Sequence, residues 1–351
     1  MIPVPPPSYA GTERVVATLG DALLERGHDV TLFASGDSTF GGRLVPTIPE
    51  SLRSREYRGD ITAHMAITAA KAWRAHAQFD VIHSHLETHG FLFARHCPTP
   101  VVTTLHGRLD VAGIPELLAE FDDIALVAIS DSQRRWNPNW LATVHHGLPL
   151  AAMPWSGTPG ETLAFIGRVT AEKGVDDAIE LARSTGRTLR MAAKVYDPRE
   201  EAYFAEFVRP AIDEGVVEFL GELGPPDRDA VDAGALATVM LGAWPEPFGL
   251  VAIESLATGT PVIARRAGAL TETIEHGVDG FLVDDLDEAA LAVGRVADLD
   301  RAQIRQRAVE RFSPERMVDE YEAIYRRLAG EEGATGEQVP SARHGTRPSG
   351  P

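Results

Sequence analysis

Two consecutive α/β domains, each built on a parallel sheet, are what this sequence predicts, because strand and helix signals alternate along nearly its whole length. The 351 residues are enough for two separate cores. A break in the pattern supplies the boundary: Pro138, Pro149 and Pro154, with SGTPG at 156–160, read as a linker. The expected organisation is an N-terminal domain at 1–150, a C-terminal domain at 151–311, a helix at 312–330 crossing back toward the first domain, and a disordered tail at 331–351.

In the first half, GTERVVATLGDALLERGHDV reads as a helix with Val15, Val16, Leu19, Leu23 and Leu24 inward, stopped at Gly27. Strands are expected at 29–35, 79–85, 100–107 and 125–130, with a helix over 61–78 between two of them. The second half restarts with a strand at 162–169, a helix from Val175, and strands at 188–195, 216–220, 235–244 and 261–265. Ser313-Pro314 stand as cap and first residue of the last helix. The tail from Ala329 has no periodicity and a Gly/Glu/Ser/Arg/Pro composition. One element is wanting: a doubly wound domain begins with a strand that feeds a glycine-containing loop, yet only MIPV precedes PPPSYAGT, so that strand is missing or very short.

Composition narrows the function. Apolar content of 44% and charged content of 24% are those of an ordinary globular protein. No apolar run reaches membrane-spanning length and no signal peptide opens the chain, so a cytoplasmic location is expected. One cysteine, Cys97, permits neither an intrachain disulfide nor a structural zinc site. The net charge of −18 argues against nucleic acid and against an anionic membrane surface as partners. An anionic ligand would have to be held by a few local cations and helix ends.

Those cations and helix ends stand at two places. In EPFGLVAIE, Glu246 and Glu254 flank a strand–loop–helix joint, where the amides of Phe248, Gly249, Leu250 and Val251 open the helix and attract an anion. Pro247 precedes the glycine in this turn, and Gly249 has no side chain to hold a phosphate away. Glu254 lies about 8 Å along the helix, a distance that suits a ribose, and Glu246 faces the other end of the ligand. In IGRVTAEKGV, Arg168 and Lys173 follow a strand end and can clamp a diphosphate. Gly11-Thr12 precede the first helix, either as a tight turn against a phosphate or sugar or as an N-cap by Thr12. His106 ends a strand just before a glycine, a ligand-binding position in α/β sheets, although a structural histidine has equal claim. His83 and His85 share a strand face with Glu87, which leaves a metal site conceivable but poorly supplied with ligands. Asp227-Arg228-Asp229 reads as capping and first-turn charge rather than as metal ligands. Ala267-Gly268-Ala269 is a small-residue turn that admits a ligand or merely closes a loop.

With these residues in place the chain resembles the family-4 retaining glycosyltransferases of GT-B fold, from PPPSYAGTERVV through TLHG, IGRVTAEKG and EPFGLVAIESLATGTPVIA to GALTETIEHGVDGFLV. The resemblance implies two facing Rossmann-like domains with a nucleotide-sugar cleft between them. It implies Arg168 and Lys173 on the diphosphate, Glu254 on the ribose and Glu246 on the sugar hydroxyls. The amides of Phe248 to Val251 would lie near the phosphates, His106 beside the donor sugar, and Gly11 in a loop closing over the phosphates. The expected activity is hexosyl transfer with retention from a nucleoside diphosphate sugar, UDP-glucose as the guess, to a small-molecule or glycan acceptor. Neither metal nor bound cofactor is expected. A silent nucleotide-sugar binder, an epimerase and a sugar phosphorylase are the rival readings, since fold alone does not fix chemistry. Two departures stand out: Ala10-Gly11 where the family commonly has paired glycines, and the missing first strand.

Overall fold

The apolar runs resolve into parallel sheets whose C-terminal edges face one cleft. The structure, a computed structural model, describes residues 2–7, 10–53, 55, 57, 59–136 and 140–330; the expected tail at 331–351 and Pro138 lie outside the described residues. In the N-terminal half, helix α1 (Gly11–Glu25) leads to β1 (Thr31–Ser35) and β2 (Arg43–Ile48), then α2 (Thr62–Arg74) to β3 (Ile82–Ser84). There follow α3 (Phe91–His96), β4 (Val101–Thr104), α4 (Ile114–Glu120), β5 (Ala125–Ala128), α5 (Asp131–Arg134) and β6 (Trp140–Thr143). These strands make two parallel sheets, β1-β2 and β3-β4-β5-β6.

The C-terminal half runs β7 (Leu163–Arg168), α6 (Val175–Thr185), β8 (Leu189–Lys194), α7 (Pro198–Tyr203), α8 (Arg209–Asp213), β9 (Val217–Gly221), α9 (Pro225–Ala233) and β10 (Ala237–Met240). It continues through α10 (Leu250–Ala257), β11 (Val262–Arg265), α11 (Leu270–Thr273), β12 (Gly280–Val283), α12 (Leu286–Val293), α13 (Arg301–Arg311) and α14 (Pro314–Ala329). Its single sheet has the order β12-β11-β10-β7-β8-β9, so the first strand in sequence lies between the second and the fourth. This is the doubly wound order, which places ligands outside the strand ends where the winding reverses.

Three strands escaped the sequence reading. β2 carries exposed Arg43 and Pro46 on a sheet edge, so it lacks clean alternation. β6 is another edge strand, of four residues, and falls inside the stretch read as a linker. β12, GFLV, is buried throughout, so it shows no alternation at all. The wanting first strand is truly absent among the described residues: Ile2 to Pro7 form no strand.

Helix ends follow local chemistry. Ser313 caps α14, its side chain accepting from the Arg316 amide, as the Ser-Pro pair predicts. Thr12, by contrast, is not the cap of α1. The helix begins at Gly11, with extended Ala10 at the cap position and no side-chain cap.

One apolar cluster fills the C-terminal half around Leu163, Phe165, Leu189, Met191 and Val239. A second crosses between the halves, joining Val15 and Leu19 of α1, Val102 and Val127 of the N-terminal sheet, and Phe248 and Ile253 beside the cleft with Tyr321 of α14. α14 thereby docks on the N-terminal half. Its Tyr321 hydroxyl lies 2.9 Å from Thr104 Oγ1, and Tyr325 Oη lies 2.7 Å from His83 Nδ1.

Candidate active site

Between the halves lies a cavity of about 460 Å³, a size suited to a nucleotide-sized ligand. Its floor is the C-terminal sheet edge, where β7 ends in Arg168, β8 in Lys194, and β10 runs into the loop before α10. Of the residues singled out in the sequence, Gly11, Thr12, His106, Arg168, Lys173, Glu246, Pro247, Phe248, Gly249, Leu250 and Val251 all line this cavity. Glu254 does not. It is 1% exposed, behind the cavity wall, where its Oε1 accepts from Arg228 Nη2 at 3.0 Å and from Arg14 Nη1.

The joint before α10 is held by geometry that only glycine permits. Gly249 has φ 90°, and a Cβ there would stand 2.8 Å from Leu270 Cδ2. Opposite it, a Cβ on Gly11 would come within 2.9 Å of Leu250 Cδ1, so the start of α1 abuts the start of α10 across the cleft. Both helix N-termini therefore point their unpaired amides into the same region.

Charge in the cavity runs against the rest of the chain. Arg53, Arg108, Arg168, Lys173, Lys194 and Arg228 line it against Glu222 and Glu246, in a protein of net charge −18. Carboxylates already engage several of these cations. Lys173 Nζ donates to Glu246 Oε2 at 2.8 Å, Arg168 Nε to Glu200 Oε1 at 2.6 Å, and Arg53 to Glu222 at 2.8 Å across the cleft. Lys173 also sits 4.1 Å from the centre of the Trp244 ring, with Arg108 5.2 Å from the same ring, so one indole attracts two cations. Burial, opposed in part by Glu222 and Glu200, lowers the Lys194 ammonium pKa from its ordinary value.

On the N-terminal side the histidines form a stack rather than a metal site. Nδ1 of His85 is 2.9 Å from Nε2 of His106, one ring donating to the other, and His106 lies parallel to His146 at 5.2 Å. His146 in turn meets the edge of Phe248 at 4.8 Å. Desolvation lowers the pKa of His85 to about 4 and of His146 to about 3, and takes His83 and His106 well below the ordinary range. All four rings are therefore uncharged at neutral pH. Glu87, in a left-handed conformation at φ 50°, accepts from the His106 amide at 3.0 Å; desolvation raises its carboxyl to about 7. Among the described residues no group of three or more His, Cys, Asp or Glu is arranged to hold a metal. No helix among them is long and apolar enough to cross a membrane.

Sequence reasoning missed Arg14, Arg53, Arg108, His146 and Trp244. Arg108 and Trp244 stood within two residues of singled-out positions and could have been included on that ground. Arg53 had no signal, because it reaches the cavity from a long connection. Arg228 was read as first-turn charge; it is 2% exposed and bonds to Asp229 and Glu254.

Comparison with known proteins decides the family. Residues 9–151 match Glycosyltransferase Family 4 and residues 156–310 match Glycosyl transferases group 1. The chain is a family-4 glycosyltransferase. D-inositol 3-phosphate glycosyltransferase of Acidothermus cellulolyticus is 29% identical, over 95% of this chain and 89% of that protein. Phosphatidyl-myo-inositol mannosyltransferase of Mycobacterium tuberculosis is 26% identical over 91% and 94%. Among solved structures, AviGT4, a glycosyltransferase involved in avilamycin A biosynthesis, superposes with TM-score 0.72 at 26% identity, covering 94% of this chain and 93% of its own. Anabaena HepE, solved with UDP and glucose, gives TM-score 0.71 at 19% identity over 90% and 95%, which speaks to the fold. This glycosyltransferase therefore has the GT-B architecture, with its cleft between two Rossmann-like halves.

Proposed function

We propose that this glycosyltransferase transfers hexose, with retention, from a nucleoside diphosphate sugar bound in the 460 Å³ cleft. The observation that carries the reading is the reversal of charge: six cations and two helix N-termini converge there in an acidic protein. As the glycosidic bond breaks, charge grows on the leaving diphosphate, and Arg168, Lys173 and the amides opening α10 stabilise it without a metal. On donor binding the phosphates displace Glu246 from Lys173, which frees that carboxylate for sugar hydroxyls. A leaving phosphate oxygen takes the acceptor proton as the new bond forms on the face it vacates. His106, uncharged, flanks the sugar as a neutral hydrogen-bonding wall. Glu254 anchors Arg14 and Arg228 behind the cavity, and it reaches a ribose only if that pairing rearranges.

UDP-glucose is the first donor to test, supported by the solved complex of HepE with UDP-glucose. The acceptor is a small molecule or a glycan; the inositol phosphate and glycogen named in relatives are the first to try. A thermal-shift panel of UDP-, GDP- and ADP-sugars tests donor binding. The cognate donor should raise the melting temperature in proportion to its affinity, and turnover should survive EDTA. If no nucleotide sugar shifts the transition, the donor assignment fails.

A further inference from the structure

The two cations proposed for the diphosphate are held in different ways. Lys173 pairs with Glu246, and both line the cleft, so an incoming phosphate can take that carboxylate's place. Arg168 also lines the cleft, but its partner Glu200 does not. Glu200 is 2% exposed, behind an Arg168 side chain that is 52% exposed.

Chain geometry brings this pair together. β7 and β8 run side by side to their last residues, Arg168 against Lys194, and α7 opens after only Val195, Tyr196 and Asp197. Asp197 caps α7 by accepting from the amides of Arg199 and Glu200 at 2.9 and 3.0 Å, which sets Glu200 in the first turn beside the end of β7. Both oxygens of the Glu200 carboxylate are then used. Oε1 accepts from Arg168 Nε at 2.6 Å and lies against Nη2 as well, while Oε2 accepts from the Tyr196 amide at 2.5 Å. The Tyr196 bond and the cap fix the carboxylate from behind. The guanidinium is a rigid plane, so gripping its Nε edge determines where its Nη1 edge points, and that edge is left for the cleft that Arg168 lines. Capping alone does not account for Glu200, because Asp197 already serves the helix amides and Oε1 is committed to Arg168.

We propose that Glu200 is a positioning residue, holding Arg168 by its Nε edge and aiming the Nη1 edge at the donor's diphosphate without touching the donor itself. The proposal rests on the reading of the cleft as a diphosphate site. Unlike Glu246, Glu200 stays in place when the donor binds.

The test is a double-mutant cycle on the full chain, read as the calorimetric Kd of whichever of UDP, GDP and ADP binds most tightly, since all three carry the diphosphate. Glu200→Gln has one acceptor oxygen, which can meet the Tyr196 amide or the guanidinium but not both. The sign of its effect is diagnostic. Removing a negative charge near an anion site tightens binding by Coulomb's law, whereas losing the aim of Arg168 weakens it. Glu200→Gln should weaken binding about 10-fold in the wild-type background and less than about 2-fold beside Arg168→Ala. Arg168→Lys tests the aim without altering Glu200: it keeps the charge, loses the fork, and should weaken binding about 5-fold. Unchanged or tighter binding in Glu200→Gln would overturn the proposal, as would an equal loss in both backgrounds or an Arg168→Lys affinity within about 2-fold of wild type. Failure of all three nucleotides to bind, or an unchanged Kd in Arg168→Ala, would instead bring down the diphosphate reading and the proposal with it.

Discussion

The two halves of this molecule use one winding scheme and complete it to different degrees. In the C-terminal half β7 sits at the centre of a continuous six-stranded sheet, and Leu163 and Ala164 are fully buried within it. In the N-terminal half the equivalent position lies between two separate sheets, and Leu32 of β1 is only half-buried. The two cations proposed for the diphosphate belong to the complete half: Arg168 ends β7 and Lys173 follows in the short turn after it. The split half supplies walls, with His106, Arg108 and Gly11 facing the donor region. Strong charge needs a rigid frame to hold it against screening and entropy, and the central strand provides that frame.

The largest expected effect lies at the joint between the halves. Glu254→Gln removes the buried charge shared by Arg14 and Arg228 while Arg228 keeps its bonds to Asp229, which is expected to cost about 3–5 kcal/mol in urea unfolding. A loss below about 1 kcal/mol would show that the joint is not held by this cluster. Next comes a matched pair of deletions. Leu163→Ala in β7 should cost about 2–5 kcal/mol, whereas Leu32→Ala in β1 should cost less than half as much, because the wall beside β1 already lies open. Equal losses would mean that the two halves are packed alike.

Turnover separates the halves in another way. If Lys173 acts on the leaving diphosphate as proposed, Lys173→Ala should lower kcat about 100-fold or more, with little change in folding stability, since the side chain is partly exposed. Near-normal turnover would remove Lys173 from the clamp.

The smallest effect is a pH dependence confined to the N-terminal half. The Glu87 carboxyl is raised to about 7 when folded, against about 4.5 when unfolded. Stability from this group is therefore full below pH 4.5 and falls as pH rises through about 7, because the unfolded chain releases the proton first. Glu87→Gln should abolish that fall, a difference on the order of 1 kcal/mol for a half-buried, partly solvated group, read from urea midpoints at both ends of the window. The histidine stack acts with opposite sign. His85, depressed to about 4, makes stability drop as pH falls from 6.5 toward 4, so only the difference between wild type and Glu87→Gln isolates the carboxyl.

Much of this was legible in the residues. Strands with a buried core and flanking turn signals, such as 162–169 and 235–244, were recognised because periodicity and punctuation agree there. β2, β6 and β12 were not, since all three are edge strands, β12 is uniformly buried, and none of them alternates. The clustering of Arg168, Lys173 and Glu246 followed from strand ends in a doubly wound sheet, where ligands lie. Arg53 could not be found this way, because it reaches the cleft from a long connection with nothing local to mark it, and Arg14, two residues past Thr12, shows its role only through its partner Glu254 on another element.

What the sequence by itself determined is the local grammar: α/β alternation, the glycine that lets α10 begin at φ 90°, and the two cations placed at and just after a strand end. Tertiary structure decided which charges meet. Glu254 stands at the spacing suited to a ribose, yet folding brings onto it Arg14 from the far end of the chain and Arg228 from the preceding helix, and an ion pair between separate elements leaves no periodic trace in either. It likewise decided that β1 and β3 face one another across an open slot, because the pairing of parallel strands is a property of the sheet rather than of any one segment.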